Sequence, residues 1–301
     1  MTPALRLQGR VFCALSLGLV VACLNGATLD SRYELGVTGA LILLLGVPHG
    51  AFDVVFARKL FGVADVKGWA LFSLFYIGLS ALVVGLWYAA PSLFLCAFLA
   101  FAALHFGADP AAGASKLSRG LYGGAVIVLP ALWHGAELQR LLGLVAGPAS
   151  AALVTPVLSQ LAPAWLGATV LACAFQARTA RLAALESAAL AALAVTAPPL
   201  LTFTVYFCAM HSPRHILRTL ASLRGADARN ALALAIWPTV AVLAAAVLIG
   251  WLASGIPIET RVMQLVFVGL AALTLPHMVL LERARRSGLP EECRQRNVPR
   301  P

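Results

Sequence analysis

Two histidines, His211 and His215, lie four residues apart near the end of an apolar run. In an α-helix this spacing corresponds to about 6 Å of rise and about 40° of rotation, so both imidazoles leave the same face. Two imidazoles on one face can bind a single metal ion. Because an unpaired histidine inside a bilayer is costly, the pair indicates a metal site in a membrane segment.

Two further histidines share a pattern with a carboxylate. His49 is followed by Asp53 and His105 by Asp109, in each case four residues later and with a glycine between. A carboxylate one helical turn away can accept the second imidazole N–H and orient the ring for a metal. The pattern therefore predicts two histidine ligands with their orienting carboxylates, and proton transfer is the alternative use of the same pairs.

The composition places these residues in a membrane protein. Of 301 residues, 61% are hydrophobic and 11% are charged, whereas soluble domains carry about a quarter charged residues. Candidate spans, judged against the about 20 residues that cross a bilayer, cover approximately 11–24, 34–57, 69–89, 92–109, 120–138, 153–177, 182–197, 199–217, 231–253 and 262–281. We predict an all-α, polytopic membrane bundle with about ten transmembrane helices, and eight or nine as alternatives. It forms a single domain over residues 1–301, with a basic tail from about residue 283.

The distribution of basic residues predicts the topology. The net charge of +10 is spread over short loops, which is typical of cytoplasmic membrane loops and argues against a nucleic-acid partner. With ten spans and a cytoplasmic N-terminus, every lysine and arginine except Arg32, Arg140 and Arg261 lies on the cytoplasmic side. This bias favours a chain reversal at Pro198-Pro199 over one long broken helix. We therefore expect a multi-pass protein of the cell (inner) membrane with both termini in the cytoplasm.

In this topology the histidines fall at one depth. The chain has six, and all except His134 lie past the midpoint of spans that run from outside to inside. At 1.5 Å per residue they lie about 20 Å below the outer surface, and they come from four separate spans. Residues from several helices at one depth are what a shared site in a bundle requires. His134 lies at the outer end of a span, so we exclude it from the site.

The donor atoms leave the identity of the metal open. Imidazole nitrogens without cysteine sulfur nearby suit Fe, Zn, Cu or Ni. Four of them can close a tetrahedral zinc site, or leave two positions of an octahedral iron open. Aromatic residues accompany His105 and His211 in sequence and are candidates for the wall of an apolar substrate pocket. We expect Phe106, Tyr206 and Phe207 to line this pocket.

Four motifs resemble, in the same order, those of the Brp/Blh family of membrane β-carotene 15,15′-dioxygenases. They are GVPHGAFD at 46–53, LHFGAD at 104–109, HSPRH at 211–215 and LPHM at 275–278. The resemblance extends over nearly the whole chain, from about residue 34 to residue 281. It implies an iron(II) enzyme that uses O2 to cleave the central double bond of β-carotene into two molecules of all-trans-retinal.

The same resemblance implies roles for individual residues. The iron ligands that it implies are His49, His105, His211 and His215. Candidates for residues behind the ligands are Asp53, Asp109 and His277, with a fifth nitrogen ligand as the alternative role of His277. The implied partners are a lipid-dissolved carotenoid and O2, with a functional link to a retinal-binding rhodopsin.

Three other classes of protein use intramembrane histidines. A transporter or pigment-handling protein would use the histidine–aspartate pairs to relay protons without a metal, and this is the main alternative. A fatty-acid desaturase needs eight or more histidines in HxxxH and HxxHH boxes, and this chain has six with one HxxxH. A b-type haem protein needs facing histidines on two helices, for which His211 and His215 are too close.

Overall fold

The computed structural model describes residues 2–27, 30–110, 114–223 and 226–287. Within these ranges the chain is all-helical, as its composition predicts. The helices are α1 (Pro3–Leu24), α2 (Ser31–Leu41), α3 (Asp53–Phe61), α4 (Val66–Ala89), α5 (Pro91–Phe106), α6 (Lys116–Val128), α7 (Gly135–Ala146), α8 (Pro148–Gln176), α9 (Arg181–Thr196), α10 (Pro199–Val205), α11 (Ser212–Ala221), α12 (Ala226–Leu252), α13 (Ile258–Met263) and α14 (Gly269–Arg286). Most of the predicted basic tail, from residue 288 onward, lies outside the described residues.

By length and composition, six helical segments of the described chain can cross a membrane, or seven if the bent pair α6–α7 is one span. They are Pro3–Leu24, Tyr33–Phe61, Val66–Ala89, Pro148–Gln176, Asp227–Leu252 and Ile258–Arg286. Other predicted spans correspond to shorter helices, such as α5 and α9 with 16 residues each. The structure therefore supports a helical membrane protein, and the count of ten spans stays a prediction.

The chain reverses direction at the double proline. Helix α9 ends at Thr196 and the next helix begins at Pro199, because a residue before proline is disfavoured in helical conformation. Glu186 and Arg214 lie on either side of this break and form an ion pair of 2.6 Å. In one straight helix these two residues, 28 apart in sequence, would be separated by about 42 Å. The predicted reversal is therefore present.

The region around the predicted span 120–138 differs from a single straight helix. Helix α6 ends at Val128, a 3₁₀ turn follows at Leu129–Leu132, and α7 leaves at an angle of 113°. The turn contains Pro130, which cannot donate a helical hydrogen bond. Gly147, with φ of 87°, then allows the chain to turn into α8, which starts earlier than the predicted residue 153. The span is therefore shorter than predicted, and α7 lies across the bundle.

Helices α5 and α6 cross closely next to the histidine motif at 104–109. A Cβ atom added to Gly123 would collide with the carbonyl oxygen of Ala103, and one added to Gly107 would lie 3.0 Å from the carbonyl oxygen of Arg119. Glycine at both positions lets the two backbones approach each other. This contact holds the end of α5, and with it His105, against the bundle.

Three segments are interrupted where they carry histidines. A π turn at Ile42–Gly46 passes into a 3₁₀ helix at Val47–Phe52, and further π turns lie at Tyr206–His211 and Gln264–Val268. Pro48 and Pro213 follow the first two π turns closely, and Pro276 lies further along the third segment, next to His277. π turns and proline both break the regular hydrogen-bond ladder, and π turns occur frequently at functional sites. Two of the interruptions contain histidines, His49 in the 3₁₀ helix and His211 in the second π turn, and change the direction of the side chains there.

Side chains from other helices satisfy carbonyls that these prolines leave free. A proline has no N–H to donate to the carbonyl four residues before it. Gln8 donates to Ala209 O at 2.7 Å, and Ser80 donates to Ala272 O at 3.0 Å, in both cases four residues before a proline. Because the breaks at Pro213 and Pro276 have such external donors, they are defined features of the fold and fix neighbouring helices to one another.

Candidate metal centre

The five histidines that the sequence places at one depth converge in the structure. The ring centroids of His49 and His211 are 4.9 Å apart, and those of His105 and His211 are 4.7 Å apart. His277 lies 5.5 Å from His49 and 5.0 Å from His215. Rings from four separate stretches of chain therefore enclose one small space.

The ring nitrogens of this cluster fit a metal ion. His49, His105 and His277 each offer one ring nitrogen, and these three nitrogens lie within 4.8 Å of one another. The Nε2 atoms of His105 and His211 are 3.1 Å apart, and two nitrogens bound to one metal at right angles, with bonds of about 2.1 Å, lie about 3.0 Å apart. The Nε2 atoms of His215 and His277 are buried and have no hydrogen-bond partner among the described residues. A cation in this space would give these buried lone pairs a partner.

Asp53 contacts His277 rather than the histidine of its own motif. Its Oδ1 accepts a hydrogen bond from Nδ1 of His277 at 2.7 Å, and its Oδ2 accepts one from the Tyr76 hydroxyl at 3.0 Å. The predicted partner was His49, four residues earlier. That residue lies in the 3₁₀ helix Val47–Phe52, where three residues per turn put positions four apart about 120° out of alignment. The aspartate therefore connects two segments of the cluster.

Asp109 likewise contacts a histidine from another segment. Its Oδ2 accepts from Nδ1 of His211 at 2.9 Å and from the hydroxyl of Tyr206. The predicted partner was His105, but α5 ends at Phe106, so the four-residue helical spacing does not extend to Asp109. Tyr206, predicted as a pocket residue, is instead fully buried with its hydroxyl on Asp109. These contacts hold the His211 ring with its Nε2 toward the cluster.

His49 is held by backbone and by close packing. Its Nδ1 lies 2.5 Å from the carbonyl oxygen of Gly46, which leaves Nε2 for the cluster. A Cβ atom on Gly46 would collide with the ring of Phe207, so glycine is required at this position of the GVPHG motif. The hydroxyl of Ser212 donates to Leu45 O at 2.6 Å and joins this segment to the one that carries His211 and His215.

Two of the three predicted aromatic residues lie in the wall of a cavity at the histidines. The cavity has a volume of about 340 Å³, including the part that is open to the surroundings, and its wall includes Phe106 and Phe207 together with His49, His105 and His211. Most of the other lining residues are apolar. An imidazole cluster thus opens onto a space suited to a hydrocarbon.

His134 lies apart from the cluster, as predicted. It precedes the first residue of α7 and its Nδ1 is 3.8 Å from a carboxylate oxygen of Glu137. About a quarter of its side chain is exposed. It therefore contacts a partly exposed carboxylate and serves as a natural control for the histidines of the cluster.

A buried ion pair next to the site was missed by the sequence analysis. Arg214 was assigned to a cytoplasmic loop, but its side chain is 1% exposed and forms two hydrogen bonds, of 2.6 and 2.9 Å, with the fully buried Glu186. It also donates to Gln8 at 2.9 Å and to the backbone oxygen of Asp109 at 2.7 Å. The signal that could have revealed it is Glu186, a carboxylate inside an apolar run, which calls for a cationic partner.

The arrangement can be compared with known proteins. A family model described as beta-carotene 15,15'-dioxygenase matches residues 40–283. The chain is 32% identical over 259 residues to "Beta-carotene 15,15'-dioxygenase" of an uncultured marine bacterium, covering 81% of this chain and 91% of the relative. It is 27% identical over 322 residues to "Probable beta-carotene 15,15'-dioxygenase Blh" of Halobacterium salinarum, covering 93% and 91%. No solved structure matches significantly.

The matched region contains the histidine cluster. Residues 40–283 contain all five converging histidines and both aspartates that orient them. The similarity therefore covers the cluster and the helices that position it, rather than membrane helices alone. On this evidence the chain belongs to the beta-carotene 15,15'-dioxygenase family.

Proposed function

We propose that the protein is a membrane carotenoid dioxygenase that uses iron(II) to cleave β-carotene at its central 15,15′ double bond. The observation that carries the proposal is the cluster of five imidazoles around one space, three of which, His49, His105 and His211, line an aromatic-walled cavity. The names of the two relatives support the same reaction. In this reaction one O2 is consumed, the central C=C bond breaks, and two aldehydes, both all-trans-retinal, form.

The proposed ligands are the Nε2 atoms of His49, His105, His211 and His215. We extend the set to His277, because its Nε2 is buried without a described partner while its Nδ1 contacts Asp53. Iron(II) bound there would supply a centre that activates O2, and the imidazole ligands themselves would be neutral.

The two aspartates have a positioning role in this proposal. Each accepts a hydrogen bond from the Nδ1–H of one histidine, Asp53 from His277 and Asp109 from His211. This fixes the tautomer in which Nε2 carries a lone pair and keeps the ring from rotating. The carboxylates also place negative charge behind the ligands, in a region where water is excluded.

The substrate is a hydrocarbon, so its position depends on shape. β-Carotene is dissolved in lipid and can enter a site between helices without passing through water. Aromatic side chains such as Phe106, Phe203 and Phe207 line the histidine cavity and offer flat apolar surfaces to a conjugated chain. They bring the central bond next to the imidazole cluster without any hydrogen bond to the substrate.

The proposed setting is the cell membrane, with ten crossings and both termini in the cytoplasm. The described helices and the basic loops support this topology. Retinal formed at the cytoplasmic side of the bundle would enter the inner leaflet, where a retinal-binding rhodopsin can take it up. Reporter fusions at each loop test the topology, and an active periplasmic reporter fused at the C-terminus would contradict it.

Expression in cells that accumulate β-carotene tests the activity. We expect the cells to lose colour and to form retinal, measured by chromatography, and His211→Ala to abolish both effects. His134→Ala is the matched control and should retain activity, because His134 lies outside the cluster. Purified protein should lose activity with a chelator and regain it with Fe(II) alone. Full activity in metal-free protein would reject the proposal, and it would favour the alternative of a metal-independent pigment-handling protein.

A further inference from the structure

A second, larger cavity adjoins the histidine cavity. It encloses about 700 Å³ between side chains, including the part that is open to the surroundings. Four residues, Phe98, Ala102, Phe106 and Phe203, line both cavities. The two cavities are therefore adjacent, and a rigid ligand whose reactive bond lies at the histidines would have to pass these four side chains to reach the larger space.

The larger cavity is elongated along α5. Its wall contains Leu95, Phe98, Leu99, Ala102 and Phe106, which recur at the spacing of a single helical face. From Phe106 to Leu95 this face extends about 16 Å along the helix axis. Because Phe106 directly follows a histidine of the cluster, the cavity leads away from the proposed reaction centre in one direction.

The apolar face of α7 forms another wall of this cavity. Leu138, Leu141, Leu142 and Val145, spaced three, four and seven residues from the first, all line it. The opposite face is polar, and Arg140 forms an exposed ion pair of 3.4 Å with Glu259. Since α7 is bent by 113° from α6, it lies across the bundle rather than along it.

Two backbone carbonyl groups near the end of α7 accept hydrogen bonds from other helices. Trp87 Nε1 donates to Val145 O at 2.8 Å, and Gln264 Nε2 donates to Leu144 O at 3.3 Å. The wall therefore presents hydrocarbon to the cavity, and shape rather than hydrogen bonding has to select what binds there.

We propose that this cavity binds one ring-bearing half of the carotenoid and that α7, through Leu138 and Leu142, determines how long and bulky that half can be. The inference rests on the proposed function, since it takes the central double bond to lie at the histidines. It assigns the ring site to the space between α5 and α7 and makes the two leucines specificity-determining residues.

A cavity-shortening variant tests the assignment. Leu142→Phe adds bulk on the cavity face of α7, and Gln139→Phe adds the same side chain on its exposed face as the control. Each variant is assayed with β-carotene and with an apocarotenal that has one complete half and one truncated half. Metal content and thermal unfolding are measured first, and Leu138→Phe, one turn earlier on the same face, serves if Leu142→Phe does not fold.

We expect Leu142→Phe to lower kcat/KM for β-carotene about 10- to 100-fold, mainly through KM, because overpacking a filled cavity is costly. The truncated substrate should be nearly unaffected, since its short end can occupy the shortened cavity. Gln139→Phe should leave both substrates unchanged. An equal loss for both substrates, or no loss for either, would overturn the assignment while leaving the proposed reaction standing.

If the wild-type protein cleaves neither substrate, the proposed function fails. The assignment of the cavity is then tested by measuring carotenoid binding. Carotenoid binding to protein in nanodiscs is then titrated by its absorbance shift. Weaker binding of β-carotene, but not of the truncated carotenoid, by Leu142→Phe supports the site. Unchanged binding of both rejects it.

Discussion

Helix α4 and the segment Ile258–Arg286 pack side by side and have almost the same mean hydropathy, 2.0 and 1.9. None of the most apolar stretch of α4 is buried in the protein, against 44% of the other segment. α4 is an uninterrupted helix, while its neighbour passes through a π turn and a proline before reaching His277. Hydropathy thus indicates that both are membrane segments, and the interruption distinguishes the one that carries a histidine of the cluster.

The continuous helix also supports the interrupted one. Tyr76 and Ser80 are hydroxyl residues on α4, and both donate toward the cluster side. Tyr76 contacts the carboxylate of Asp53, and Ser80 contacts the carbonyl of Ala272 that the following proline leaves free. Apart from these two contacts and the one from Trp87 to Val145 O, α4 presents mainly apolar side chains to its surroundings, as lipid exposure requires. The interrupted segment thus contributes a histidine to the cluster, and α4 contributes hydrogen bonds that hold the neighbouring segments in place.

The largest effect is expected at the histidine of the interrupted segment. His277→Ala removes a proposed ligand, so we expect iron content and retinal formation to fall by more than about 100-fold, beyond what loss of an outer partner causes. Iron per protein is measured by mass spectrometry and retinal by chromatography, with His134→Ala as control. Full iron occupancy in His277→Ala would show that His277 does not bind the metal and lies behind the ligands instead.

Removal of the charge behind that histidine should have the next largest effect. Asp53→Asn keeps the size of the side chain but not its charge, and we expect iron affinity to fall about 10- to 100-fold. Tyr76→Phe, which removes one hydrogen bond to the same carboxylate, should cost less. The measurement is iron binding by competition with a chromogenic chelator. A larger loss in Tyr76→Phe than in Asp53→Asn would contradict the proposed order of contacts.

The hydroxyl at the proline break should matter less again. Ser80→Ala leaves the carbonyl of Ala272 without this donor, which should lower the free energy of unfolding by about 1–3 kcal/mol. Ser73→Ala on the same helix is the control, since Ser73 is exposed. Thermal unfolding in detergent compares the two variants. Equal unfolding midpoints in the two variants would show that the break before Pro276 does not depend on the Ser80 hydroxyl.

The smallest effect is expected on the outer face of α4. Leu74 and Ile77 are 68% and 65% exposed, so Leu74→Ala and Ile77→Ala should change the free energy of unfolding by no more than about 0.5 kcal/mol. Retinal formation should be unchanged. A marked loss of stability in either variant would mean that another chain or helix packs on this face.

The predictable part of the fold and site came from local patterns. Apolar runs indicated membrane helices because a bilayer requires about 20 apolar residues per crossing. Charge bias indicated the reversal at the double proline, which the Glu186–Arg214 pair demonstrates. The common depth of the histidines followed from the rise per residue, and their rings do meet. Each of these inferences needs only a regular helix and its environment.

The pairing of the aspartates could not be predicted in the same way. Four-residue spacing assigned Asp53 and Asp109 to the histidines of their own motifs, as a regular α-helix would. The structure instead has a 3₁₀ helix before Asp53 and a helix end before Asp109, so both carboxylates turn to other segments. Which helix a side chain faces after such an interruption depends on packing between distant segments.

The amino-acid sequence by itself indicated a helical membrane protein and identified the five histidines whose rings meet in the cluster. Composition and rise per residue act locally, so they need no knowledge of neighbouring helices. Only the tertiary structure decided that Arg214 is buried against Glu186, that α7 lies across the bundle, and which carboxylate orients which histidine. Those outcomes depend on which polar groups meet once the helices pack, because a buried polar group takes the partner that the assembled bundle brings within reach.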